Sequence, residues 1–183
     1  MPLVNYNRIL ISVNKIILIH IENIRLLLYN GINLGGDTLE YRKYGDTYYA
    51  RFDRGDEVIS GIIGLCRVEG IHSAVFTGIG GCSEAEIQTF IPEKGEFETR
   101  KISGMLELAS MTGNIITDDE MKFYTHTHAV FAYKENGEHL VAAGHIKSTV
   151  VLYTAEIEIR PVKNGEIKRK YNAETGTGFW DFR

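Results

Sequence analysis

The dipeptide Asn136-Gly137 constrains the fold of this chain more than any other pair of residues. It stands between two alternating runs, Lys122–Tyr133 and His139–Ile146. Asn-Gly in that setting is the strongest short hairpin signal, because a type I′ turn needs positive φ at both central positions. If the two residues form the loop, Glu135 pairs with Glu138, and paired positions sum to 273. Position 145 then faces position 128, and both are histidine. Directly opposed residues hold their Cβ atoms about 5 Å apart. His126, two residues back, shares the face about 7 Å away. The register therefore converges His126, His128 and His145. His139 shares their face but lies six residues from His145, about 20 Å along the strand.

Three neutral imidazoles at such spacing can hold a transition metal and leave a coordination position for water or a small-molecule ligand. Imidazole-only ligation suits zinc, iron, nickel or copper rather than magnesium or calcium, and zinc is the expected divalent ion. Gly144, Ala142 and Ala143 leave room beside the backbone. Glu107, a lone carboxylate between Leu106 and Leu108, is a candidate catalytic acid/base if its strand turns it toward the metal. Thr77-Gly-Ile-Gly-Gly81 reads as a tight turn and not a dinucleotide loop, because Ser83 stands where G-x-G-x-x-G needs its third glycine. Cys66 lies on an apolar helix face, and Cys82 has no visible activating partner. The charged stretch Lys163–Lys170 reads as a solvated hairpin.

Helical spacing occurs convincingly once, over Val58, Ile59, Ile62, Ile63, Leu65 and Cys66, with Asp56 as the expected N-cap and Gly70 as the stop. Around it lie β-type runs: Thr47–Asp53, Ser73–Thr77, Glu84–Ile91, Phe97–Ile102, Met105–Met111, Val150–Ile159 and Glu166–Tyr171. Turn residues separate them at Gly78–Gly81, Glu93–Gly95, Gly113-Asn114 and Asn164-Gly165. One main helix among hairpin-linked strands predicts an α+β domain with a mostly antiparallel sheet. Residues 1–40 differ in composition, with 6 charges against 38 in the remaining 143 positions. They read as an atypical N-terminal extension ahead of a domain over 41–183. Their apolar runs are four residues long, too short for a membrane span, so no membrane association is expected. Two cysteines form no disulfide framework, which predicts a cytoplasmic protein. The formal charge of −4 argues against strong binding to DNA.

Several segments together resemble a known family. They are Ser103-Gly-Met-Leu-Glu-Leu-Ala-Ser-Met-Thr-Gly-Asn114, Thr125-His-Thr-His-Ala-Val130, Ala143-Gly-His145 and Thr154-Ala-Glu-Ile-Glu-Ile159. In this order they resemble the PPC domain, found in plant AT-hook nuclear proteins and as stand-alone prokaryotic proteins. Thr77-Gly-Ile-Gly80 fits its early glycine turn, and the resemblance spans about Tyr41 to Ile159. It implies an α+β fold, a homotrimer, and kinship in fold with acetolactate decarboxylase, which holds a catalytic metal with three histidines. The implied ligands are His126, His128 and His145, which the hairpin register selects independently. Stand-alone prokaryotic members are often labelled DNA-binding proteins, so a regulatory or DNA-associated module is the expected role, and the decarboxylase kinship makes a metal-dependent lyase acting on a small oxyacid the alternative. The Arg-Gly-Arg-Pro core of an AT-hook is absent from this sequence. A symmetric oligomer is also expected because one helix cannot cover the apolar strand faces of Val151, Tyr153, Ile157 and Ile159, and the resemblance implies that it is the homotrimer.

Overall fold

The structure is a computed structural model that describes residues 39–173 and 177–182. All but the last two residues of the expected 1–40 extension lie outside the described residues. In chain order the elements are β1 (Glu40–Tyr44), β2 (Thr47–Asp53), α1 (Val58–Val68), β3 (Ser73–Ile91), β4 (Glu96–Thr117), β5 (Phe123–Glu135), β6 (Glu138–Pro161), β7 (Lys168–Asn172) and β8 (Thr177–Asp181). Six strands form one antiparallel sheet in the order β1-β2-β6-β3-β4-β5. β6 also pairs with β5, which closes β3, β4, β5 and β6 into a ring. This is the mostly antiparallel α+β architecture expected from the periodicity.

Ring closure depends on the length of β6. Its first part, Glu138 to His145, pairs with β5. From His145 to Pro161 it pairs with β3, while Thr154–Ile159 also pair with β2 on the other side. Side chains pointing into the ring make the core, with Phe131, Leu106, Leu108, Met111, Ile157 and Ile159 all under 2 % or at 2 % exposure. Val151, Ile157 and Ile159 are therefore covered by their own chain, contrary to the expectation that they need a neighbour. Only Tyr153 of that set is exposed, at 65 %. It sits where three residues of β6 (152–154) lie against one of β3 (Gly81), between the pairs Val151–Cys82 and Ala155–Gly80, a bulge that turns its side chain outward.

Two expected turns are strand interior instead: Gly78–Gly81 lies within β3, and Gly113-Asn114 within β4. Glycine has a packing role at the first of these. A Cβ on Gly80 would lie 2.6 Å from the Thr154 carbonyl oxygen and 2.7 Å from Ala155 Cα, and one on Gly78 would lie 2.5 Å from the Glu156 carbonyl oxygen. The glycines let β3 and β6 approach each other, so the signal was close backbone contact and not chain reversal. Asn136 and Gly137 do form their turn, with φ of +51° and +87°.

The helix begins one residue later than the sequence pattern indicated. Glu57 is the N-cap, its carboxylate accepting from the backbone N–H of Ile59 and Ser60. Asp56 is occupied by accepting from the Asp53 N–H at 2.7 Å. Glu57 also accepts from the Thr149 N–H at 3.0 Å, so one carboxylate ties the helix start to β6. Gly70, with φ of +65°, follows the helix end as expected. Among the described residues no helix is long and apolar enough to cross a membrane.

Candidate metal centre

β5 and β6 pair in the register that Asn136-Gly137 dictates, from Glu135 opposite Glu138 up to His128 opposite His145. His126 and His128 follow each other on the outer face of β5 because side chains alternate along a strand. The buried neighbours Thr127, between them, and Ala129, after His128, hold that alternation by pointing inward. The ring centroids of His128 and His145 are 4.2 Å apart, those of His126 and His145 4.9 Å, and those of His126 and His128 5.2 Å. One ring nitrogen from each residue lies within 4.8 Å of the others. His126 Nε2 and His128 Nε2 are 3.2 Å apart. Two donors about 2.0–2.1 Å from a tetrahedral zinc ion stand roughly 3.3 Å from each other. The donor set therefore fits a transition metal in both spacing and chemistry. His139 pairs with Lys134, far along the strand from the cluster.

The electrostatics favour the neutral, donor form of two of these imidazoles, His126 and His145. His126 sits below the ordinary imidazole range, first because burial disfavours its charged form and then because His128 is adjacent. His145 is lowered in the same way by burial, His128 and His126. Phe97 meets the His145 ring edge-on at 5.3 Å and packs against Phe90 at 5.3 Å. The other sequence candidates are placed elsewhere. Glu107 points outward on β4 opposite Ala132, four residues along β5 from His128, which is about 13 Å. The fold does not bring it to the imidazoles within one chain. Cys66 and Cys82 are both buried. Burial pushes the Cys66 thiol up to about 12 and raises Cys82 as well, so neither is a thiolate at neutral pH.

The histidines open onto a cleft of about 930 Å³. Phe90, Phe97 and Tyr124 line one part, and Arg169, Phe179 and Trp180 line another. The last three come from β7 and β8, which pair as a separate two-stranded sheet. Trp180 Nε1 donates to Asn114 Oδ1 at 3.3 Å, and Asn114 is the β4 residue opposite His126. Reading Lys163–Lys170 as a solvated hairpin missed this contribution. The available signal was the aromatic density of Gly178-Phe-Trp-Asp-Phe182.

A closed antiparallel sheet with one capping helix and three imidazoles converging on its outer face defines a small α+β domain with a metal-type histidine centre. The chain belongs to the Plants and Prokaryotes Conserved (PCC) domain family, whose model matches residues 39–163. It is similar to a plant- and prokaryote-conserved (PPC) protein of Pyrococcus horikoshii, at 30% identity over 79% of this chain and 95% of that one, with a TM-score of 0.67. A candidate DNA-binding protein of Bacteroides thetaiotaomicron is 26% identical over 79% of this chain and 97% of its own, with a TM-score of 0.71. A metal-containing protein of Archaeoglobus fulgidus is 27% identical over 78% of this chain and 96% of its own, with a TM-score of 0.65. No curated protein matches the chain in sequence.

Proposed function

We propose that this protein is a metal-binding PPC module in which His126, His128 and His145 hold one divalent transition metal, zinc best matching the donor set. The observation that carries the reading is the convergence of three ring nitrogens within 4.8 Å. The likeness to the metal-containing Archaeoglobus protein supports it. When bound, such an ion acts as a Lewis acid toward a carbonyl or carboxylate oxygen and lowers the pKa of its water to about 7. The chain's own part is to present three neutral donors on one rigid hairpin and to leave the cleft side open. Elemental analysis of the purified protein is expected to find about one transition-metal ion per chain. Protein that takes up none from zinc-containing buffer overturns the reading.

Within this reading the module has a regulatory or DNA-associated role in a homotrimer. Met105 and Tyr153 both lie within 4 Å of the Cβ position of Gly81. With Ile79 two residues away, they form an outward apolar patch, at 41 %, 65 % and 56 % exposure. A symmetric neighbour that stacks sheet face on sheet face covers such a patch. Light scattering at micromolar concentration is expected to report three chains, and a folded monomer contradicts the assembly. Direct grip on DNA is expected to be weak. From Tyr41 onward there are 17 Lys and Arg against 21 Asp and Glu, and duplex affinity comes mainly from neutralised phosphates. A gel-shift series at about 150 mM salt should give no sequence-selective complex at sub-micromolar protein; such a complex would overturn this.

A second reading is favoured by the aromatic cleft beside the open coordination side. There the protein is a metal-dependent lyase, as in acetolactate decarboxylase, acting on a small oxyacid. Glu107 serves in it only if assembly brings the carboxylate of one chain to the metal of another.

A further inference from the structure

The cleft facing the histidines is walled partly by residues outside the family-matched stretch 39–163. β7 and β8 add Arg169, Phe179 and Trp180 to it. Arg169 lies over the Tyr124 ring, its guanidinium carbon 4.5 Å from the ring centroid. Tyr124 is one same-face step before His126 on β5, about 7 Å along the strand. Gly178, which pairs with Tyr171 and lies diagonally across the hairpin from Arg169, has no side chain: a Cβ there would lie 2.3 Å from Arg169 Cζ and Nε. The glycine therefore makes the space in which the guanidinium rests.

Among the described residues the charges in this cleft are one-sided, and its lining contains no aspartate or glutamate. The ion pairs found among the described residues all use other cations, so no described carboxylate neutralises Arg169. Three neutral imidazoles leave a bound divalent ion with its full charge. The cleft then presents two neighbouring positive centres between partly exposed aromatic walls. Such a place favours an anion, and flat apolar walls favour a flat apolar body. A planar guanidinium suits a carboxylate, which it can bind through two parallel hydrogen bonds.

We propose that the C-terminal hairpin makes this cleft a binding site for a small aromatic carboxylate. The carboxylate pairs with Arg169, and the ring packs against Phe97, Phe179 and Trp180 beside the open side of the metal. The proposal rests on the metal-binding reading and deepens it by naming the ligand class. It also assigns a purpose to the hairpin beyond the family domain.

Trp180 is the sole tryptophan, so its emission reports on the cleft directly. Zinc-loaded full-length protein is titrated with benzoate, with its neutral isostere benzamide, and with acetate, following Trp180 emission and heat. Benzoate is expected to bind at least about tenfold more tightly than benzamide or acetate, the scale of one lost charge-assisted contact. Arg169→Gln should weaken benzoate by about tenfold or more with zinc content unchanged. Gly178→Ala keeps the charge but pushes the guanidinium off Tyr124, and should weaken benzoate similarly. Trp180 emission without ligand shows that the hairpin is still docked in each variant. Benzoate that binds wild type and both docked variants alike, or no better than benzamide, overturns the proposal. Zinc-loaded protein that ignores benzoate overturns the ligand class alone, leaving the metal reading intact. Protein that takes up no zinc yet binds benzoate through Arg169 overturns the metal reading and keeps the hairpin assignment.

Discussion

Single replacement of His126, His128 or His145 by alanine is expected to lower metal affinity by more than about a hundredfold in each case. Loss of a residue that merely orients a ligand costs 10–100-fold, and these side chains are the donors themselves. Their nitrogens lie within 4.8 Å of one another, so removal of any one leaves two donors and an unbalanced site. The three variants should therefore behave alike. His139→Ala should retain full occupancy, because His139 pairs with Lys134 at the far end of the hairpin. Metal stoichiometry by elemental analysis makes the comparison, and full occupancy in His145→Ala would show that it is not a ligand. The pH profile has a definite sign. Protons compete with the ion for the imidazole lone pairs, and His126 and His145 both titrate below the ordinary 6.5. Occupancy should thus fall as the pH is lowered and protons displace the ion from the imidazoles.

Gly80→Ala is expected to destabilise the fold by about 2–3 kcal/mol, near the upper end of ordinary overpacking. The added methyl would meet the Thr154 carbonyl oxygen at 2.6 Å and Ala155 Cα at 2.7 Å. Both are backbone atoms in the middle of the β3–β6 ladder, where Gly80 pairs with Ala155. No rotamer change relieves that contact, so the strands must separate where the ring closes. For a domain of this size the melting temperature should fall by about 5–10 °C. Gly165→Ala is the control, since a Cβ there meets nothing within 4 Å. Thermal denaturation that leaves Gly80→Ala indistinguishable from Gly165→Ala would remove close strand approach as the reason for glycine in this stretch.

The histidine centre was legible in the sequence because every step toward it is local. Asn136-Gly137 fixes a two-residue loop by backbone sterics, and antiparallel pairing then counts outward from the loop without slippage. The existence of one helix was legible for a similar reason, since its apolar spacing and Gly70 lie within one short window. Its cap was misplaced by one residue because Asp56 and Glu57 are both acceptors, and only the Asp53 and Thr149 contacts show which carboxylate is free for the helix.

Composition and alternation along the chain determined the antiparallel α+β class, the hairpin register and the three candidate ligands. Tertiary structure alone decided the rest. Glycines at 78 and 80 look like turn residues in isolation, yet they lie in β3 because β6 returns from about 75 residues later to press against them. Val151, Ile157 and Ile159 look like faces in need of a partner until the ring closes around them. Arg169 looks like solvated hairpin until Trp180 of the next strand docks on Asn114 beside the histidines. In each case the deciding contact joins residues far apart in sequence, and periodicity carries information only along one strand or across one tight turn.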